Sequence, residues 1–403
     1  MADLNGDVRP GRLAELLVRF GANVQRGQVV VINGNIDDRG LLRQIAGECY
    51  RAGARHVEVE FIDPYLQRSR IRYGGDDSIA YAPSWAFEHV RGIRKARCAT
   101  ISVVGGTDPS VLAGLDEDRL GRDRSPLGKE WLAAVADREI NWTIGPAPSA
   151  RWAAVAHADM DPAAGLERLW EEVERVCRLD EADPVASWER RMGLLQEVAA
   201  RLTERRFDAL HFEGPGTDLS VGLLPTSRFV SGGIETAFGV AHRPNLPSEE
   251  VFTTPDPMRA DGHVTSTKPL DVGGTVVKGL RVRFEGGRAV AIDADEGAAM
   301  LRARTAVDGG GTRLGEVALV DGDSRIGALD TVFYETLLDE NAASHIALGG
   351  GFDFGIESAE DAARVNRSEI HIDFMIGSNE VDVTGVTSGG ERMPVLRGGR
   401  WQL

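Results

Sequence analysis

The sequence predicts an α/β protein: an N-terminal α/β domain with a mostly parallel sheet, followed by a C-terminal, β-rich α+β domain whose strands are interrupted by polar side chains. Three observations predict it. Short β-branched runs alternate with helical stretches through the first half. Short strands bounded by glycine turns fill the second half. Within that half, titratable side chains occupy strand positions where apolar packing is expected. The change of texture puts the boundary near residue 205, with domains at residues 1–205 and 206–403.

RLAELLVRFG reads as a helix closed by Gly21, and QVVVING, residues 28–34, as a strand bounded by glycine. The helical GLLRQIAGECYRAGA and the strand HVEVEF, residues 56–61, complete a βαβ unit, which calls for parallel pairing. CATISVVGG and NWTIGP add further strands. Between residues 161 and 205, LERLWEEVERVCRL and PVASWERRMGLLQEVAARLTE carry apolar residues at helical spacing and end the first domain. From residue 206 the turn signals GPG (214–216), SGG (231–233), GG (273, 274) and EGG (285–287) recur, the pattern of antiparallel sheet. TVFYETLLDENAASHIALGGG, residues 331–351, interrupts that pattern and reads as one helix ending in a glycine cluster.

At 403 residues, 42% hydrophobic and 27% charged, the chain is long enough for two cored domains and too apolar for disorder. Its formal charge of -16 argues against nucleic acid as a partner, because phosphate binding needs a basic face. No apolar run approaches the roughly 20 residues of a membrane span, and the N-terminus lacks a signal-peptide pattern. A cytoplasmic protein without membrane contact is the expectation. Cys49, Cys98 and Cys177 form no CxxC, so neither a disulfide framework nor a thiolate zinc site is indicated.

In the stretch IHIDF, His371 and Asp373 are two residues apart and share one face of a strand, where they can hold a metal ion. A hydrogen-bonded core pair is the plain alternative, and further donors decide between them. NLPSEEVFTTPD places Glu249 and Glu250 before a β-type run, and RLGEVALV puts Glu316 at the head of a strand. DENAASHIALG sets Glu340 and His345 on the expected helix, where Asn341 and His345 are i, i+4 neighbours and Glu340 need not share the histidine's face. Glu250, Glu316, His345, His371 and Asp373 supply three carboxylates and two imidazoles, a set suited to two divalent ions such as Zn²⁺, Co²⁺ or Mn²⁺. A bridging carboxylate would hold such ions about 3.5–4 Å apart around one water. His345, His371 and Asp373 alone would instead form the two-histidine, one-carboxylate face of non-haem iron oxygenases, a reading the glutamates weigh against. Lys268 in STKPL is placed to meet either substrate or solvent. No GxxxxGK[ST], GxSxG or HExxH occurs, so phosphate-loop, serine-hydrolase and zincin chemistry have no motif support.

NLPSEEVFTTPD, DGHVTSTKPL, RLGEVALV, FYETLLDENAASHIALG, IHIDFMIG and RGGRWQL resemble the aminopeptidase T and aminopeptidase S family of thermophilic-type metalloaminopeptidases. The resemblance extends to LAELLVRFGANVQRGQVVVI and FDALHFEGPGTDLSVGL and so covers nearly the whole chain. It implies a homodimer that removes the N-terminal residue of peptides or small amides, with little selectivity for its side chain, through a water bridged by two divalent ions in the C-terminal domain. By matching motif it places Glu250, Glu316, His345, His371 and Asp373 on the metal ligands, with Glu340 as a further ligand or supporting group. Glu249, beside a ligand, becomes the candidate general base. Where the family usually carries a tyrosine near the metals, HIALGGGF ends in Phe352, a substrate-facing ring without a hydrogen bond to give. That departure keeps open an altered amide hydrolase or a ring-cleaving dioxygenase built on the same fold.

Overall fold

The computed structural model describes residues 7–105, 111–123, 125–329 and 331–403. The chain separates into two compact units, residues 1–189 with 233–247, and residues 190–232 with 248–403. The division falls within the helix Pro184–Arg205, and the short segment around the Ile234–Glu235 and Ala241–His242 ribbon belongs to the first unit.

In the first unit, β1 (Val29–Asn35), β2 (His56–Ile62), β3 (Ala99–Val104) and β4 (Asn141–Pro146) pair in the order β2-β1-β3-β4, all parallel. Parallel neighbours require crossovers, which the helices Arg39–Arg51 and Ser84–Lys95 help to supply by turning Leu41, Leu42, Ile45 and then Val90, Ile93 inward. Val31, Ile93, Cys98, Ala134 and Ile140 form one buried core cluster of this layer. The first helix, expected to run to Gly21, begins as α-helix at Arg9–Glu15 and continues as a wider π turn over Leu16–Gly21. Asp161 caps the helix Pro162–Val176 by accepting from the N–H groups of Ala163 and Ala164, with proline in the first turn where its missing N–H costs nothing. β2 is an edge strand, and it is the least buried of the four.

The second unit holds two larger antiparallel sheets. One has eight strands, from Arg288–Asp293 through Arg281–Glu285, Pro255–Thr265, Thr217–Leu223, Ala209–Gly214, Asp382–Val386 and Arg392–Arg397 to Arg400–Trp401. The other has four, β5 (Glu250–Thr253), β6 (Leu314–Val320), β7 (His345–Gly349) and β8 (His371–Met375), in the order β8-β7-β6-β5. Here the structure departs from the sequence expectation at residues 331–351. That segment is a short helix, Thr336–Asp339, a 3-10 turn, Glu340–Ala342, and then β7. His345 therefore lies on a strand, because β6 and β8 flank HIALG and hydrogen-bond it on both edges. A fully buried run of five apolar or neutral residues suits a central strand as well as a helix, and strand pairing decides.

Candidate metal centre

Pairing across the four-stranded sheet fixes which side chains share a face. Glu250 faces Val320, Phe252 faces Ala318, Ala318 faces His345, Glu316 faces Ala347, Ala347 faces Asp373, and Gly349 faces His371. With the two-residue strand period, Glu250, Glu316, His345, His371 and Asp373 all lie on one face of one sheet. Among the same-face neighbours are Ala318, Ala347 and Gly349, whose small side chains leave room above the sheet. A β-bulge marks the end of this alignment: Leu314 pairs with Leu348 but Glu316 pairs with Ala347, so Gly315 is the extra residue, and Leu314 turns to the face opposite the donors.

The donors form two groups that share a glutamate, Glu250–Glu316–His345 and Glu316–His371–Asp373. His345 Nε2 lies 3.1 Å from Glu250 and 3.6 Å from Glu316; His371 Nε2 lies 3.2 Å from Asp373 and 3.5 Å from Glu316. Each imidazole turns its other nitrogen to a backbone carbonyl, Nδ1 of His345 to Ala343 at 3.2 Å and Nδ1 of His371 to Gly350 at 2.7 Å. That is the bracing which fixes the tautomer of a metal-binding histidine and aims Nε2 at the ion. The two imidazoles belong to different groups, so the described residues do not assemble His345, His371 and Asp373 into a single three-ligand face.

Electrostatics mark the cluster as incomplete without cations. Burial pushes the Glu316 carboxyl above its ordinary range. Glu340 is pushed well above, by burial and then by the charges of Asp373 and Glu250, although its carboxyl belongs to neither of the two donor groups. Burial pulls His345 down, but its bonds to Glu250 and Glu316 carry it well above the usual imidazole value. Against the same burial, Asp373 and Glu316 raise His371 to about 10, and His371 in turn holds Asp373 below the carboxylate range. Glu250 Oε2 and Asp373 Oδ1 are buried, and among the described residues each faces only an imidazole Nε2, at 3.1 and 3.2 Å and poorly aligned for a hydrogen bond, an arrangement that costs free energy unless a cation binds them. Divalent cations fit: oxygen and imidazole donors converge, and unsatisfied oxygens point at them.

Glu249, expected beside the ions as a base, is turned elsewhere. Its fully buried carboxylate takes Arg191 Nε at 2.5 Å, and Arg191 also makes a two-pronged bond to Asp321 at 2.8 and 3.0 Å. Asp321 follows Val320, which pairs with Glu250, so both acids stand one residue beyond the donor positions and turn to the reverse side. The backbone N–H of Glu249 donates to Asn341 Oδ1, and Asn341 Nδ2 reaches Leu337 O and Glu340 Oε1. Arg191 and this role of Asn341 were not legible in the sequence, because both depend on contacts between distant segments. Phe352 packs against His371 at 5.1 Å between ring centres, and Lys268 contributes a positive field at Asp339. Elsewhere, Glu58, Glu60 and His89 form a third cluster in the first unit, partly open to solvent, with His89 2.6 Å from Glu60.

Fold and donors together define a divalent-metal enzyme. The chain belongs to the thermophilic metalloprotease (M29) family, whose model matches residues 9–401. It is 39% identical to Aminopeptidase T of Thermus thermophilus over 398 residues, covering 97% of each chain. It is 35% identical to Aminopeptidase AmpS of Bacillus subtilis, covering 96% of this chain and 97% of the relative. The solved structure of wild-type AmpT from Thermus thermophilus superposes with a TM-score of 0.90 at 39% identity, over 98% of this chain and 99% of that one.

Proposed function

We infer that this protein is a metal-dependent aminopeptidase, a hydrolase that releases N-terminal residues from peptides. The observation that carries the reading is the shared glutamate: one carboxylate, Glu316, belongs to both donor groups on the sheet face, in a chain whose relatives are aminopeptidases along their full length. Nothing in the geometry favours a dioxygenase. In the finer reading, Glu250, Glu316 and His345 hold one ion and Glu316, His371 and Asp373 a second, with Glu340 completing the set; Zn²⁺, Co²⁺ and Mn²⁺ all suit these donors. Such a pair of ions, when bound, supplies an activated water and a polarised scissile carbonyl.

The chain's own residues do the rest. The carboxylate-rich face attracts a substrate's α-ammonium and so selects the free N-terminus, placing the first peptide bond at the donors. Gly350 O and Ala343 O hold the imidazoles in the neutral, ion-facing tautomer when the ions are bound. Since Glu249 is committed to Arg191, we assign it a positioning role, and a carboxylate of the cluster itself accepts the proton released in hydrolysis. Phe352 and Lys268 are the proposed substrate contacts.

Two further readings belong here. A homodimer is supported by Phe61, Ile62, Tyr65 and Leu66, more than half exposed at the β2 edge of the first unit, an apolar surface that water alone covers poorly. A cytoplasmic location without nucleic-acid or membrane partners is supported by the acidic charge, three buried free cysteines, and the lack, among the described residues, of a helix long and apolar enough to cross a membrane. The test of the central reading is direct: chelator abolishes release of leucine from a leucyl anilide, about two equivalents of Zn²⁺, Co²⁺ or Mn²⁺ per chain restore it, and an N-acetylated peptide is not cut. Cleavage of the acetylated peptide at a comparable rate, or restoration by one iron alone, would overturn it.

A further inference from the structure

The chain leaves β7 through three glycines, Gly349 to Gly351, which have no side chains to fix them. The middle one supplies the carbonyl that takes Nδ1 of His371 at 2.7 Å. Gly349 adopts φ 114°, a conformation that favours glycine, and any side chain there would meet Ile370 O. A turn this free of side chains keeps its carbonyl in place only if something outside it does the holding.

Asn366, a buried residue, holds it from both ends. Its Nδ2 donates to Gly349 O at 2.6 Å, and its backbone O accepts from the N–H of Gly351 at 2.9 Å, so the carbonyl that braces His371 lies between two bonds to one residue. Nδ2 also reaches Gly310 O at 2.9 Å and Arg313 O at 3.3 Å, and Arg313 O in turn takes the N–H of Gly349 at 2.8 Å. One amide group thus joins the loop before β6 to the turn after β7. Asp308 pins the other side of that loop, accepting from the N–H groups of Gly310 and Gly311 at 2.8 and 2.9 Å and from Ser368 Oγ and Glu369 N at 2.9 and 2.7 Å. The brace of His345, Ala343 O, stands before β7, and none of these bonds reaches it.

We propose that Asn366 is a positioning residue for the second ion: by fixing Gly350 O it sets His371 Nε2, and with it the affinity of the Glu316–His371–Asp373 group, while leaving the Glu250–Glu316–His345 group alone. The inference rests on the two-ion reading and adds an asymmetry to it. Without the Asn366 amide the two ions load in separate steps, the His345 group first.

The experiment is Zn²⁺ binding to metal-stripped wild type, Asn366→Asp and Asn366→Ala, read by competition with a chelating dye. Wild type is expected to take up about two ions per chain; in either variant one equivalent should bind as in wild type and the other about 10–100-fold more weakly. In histidine-labelled NMR spectra of the loaded proteins, the Nδ1 proton of His371, assigned through its contact with the Phe352 ring, should be slow to exchange with water in wild type and faster in the variants. A lower melting temperature with both equivalents bound as in wild type makes Asn366 structural only and overturns the proposal, and so does equal weakening of both. Should neither variant fold, the wild type decides, since a freely exchanging Nδ1 proton in a protein that holds two ions overturns the brace. Uptake of one equivalent or none by wild type overturns the two-ion reading as well.

Discussion

Glu316 is the side chain on which both donor groups depend. Its replacement by glutamine keeps the volume and removes the charge, so Glu316→Gln is expected to reduce bound metal from about two ions per chain to less than one and to lower turnover by at least about 10²-fold. A variant that keeps both ions removes the shared-ligand role. Phe352 offers the opposite test, a gain. A hydroxyl added to a ring 5.1 Å from His371 can donate to a developing oxyanion, and Phe352→Tyr is expected to raise kcat by up to about 10²–10³-fold; an unchanged kcat dismisses that account. At this scale the sequence was informative where polarity was conspicuous. His371 and Asp373 could be paired by strand period alone. Asn366, five residues ahead of His371, was missed because an asparagine before a strand looks like an ordinary turn residue.

At the scale of elements, the strands of the parallel sheet were legible because βαβ alternation writes itself into periodicity. The segment around His345 was not. Alanine, leucine and glutamate in DENAASHIALG favour helix locally, and only pairing between β6 and β8 makes a strand of its second half. Register is equally hidden from the sequence, yet it decides the site. Past the bulge at Gly315, Glu316, Ala318 and Val320 keep the strand period that aims Glu316 at the imidazoles, while Leu314 turns to the opposite face. A side chain at residue 315 would meet the carbonyl oxygens of Gly349 and Gly350. Gly315→Ala is therefore expected to weaken metal binding by at least about tenfold, read by competition with a chelating dye, and to destabilise the fold by about 1–3 kcal/mol. Asn341 ties the element before β5 to the turn that carries Glu340. Asn341→Ala orphans the buried Glu249 N–H and Leu337 O and should cost about 1–3 kcal/mol for each such group, seen in denaturant titration, with looser metal binding as the accompanying sign that Glu340 has lost its brace. A stability loss with metal affinity intact would make Asn341 structural only.

For the whole molecule, loading with metal and holding protons are competing ways to settle one buried charge cluster. His345 sits well above the usual imidazole value and His371 at about 10, so both are protonated at neutral pH when no cation is bound, whereas a metal needs each as a neutral ligand. The sign follows from that. In the metal-free protein the raised imidazoles stabilise the fold fully below their unfolded value near 6.5, and this contribution is lost as pH rises, for His371 through about 10. In the loaded protein that loss is cancelled, because each imidazole proton displaced makes binding about tenfold tighter per pH unit, worth about 1.4 kcal/mol of linked stability for each ion that must displace one. The gap in melting temperature between loaded and metal-free protein should consequently widen from pH 6 to pH 8. Calorimetric titration with Zn²⁺ in two buffers of different ionisation enthalpy should show protons leaving as the ions enter. A gap that narrows with pH, or binding heats independent of the buffer, would mean that the imidazoles enter the site already neutral.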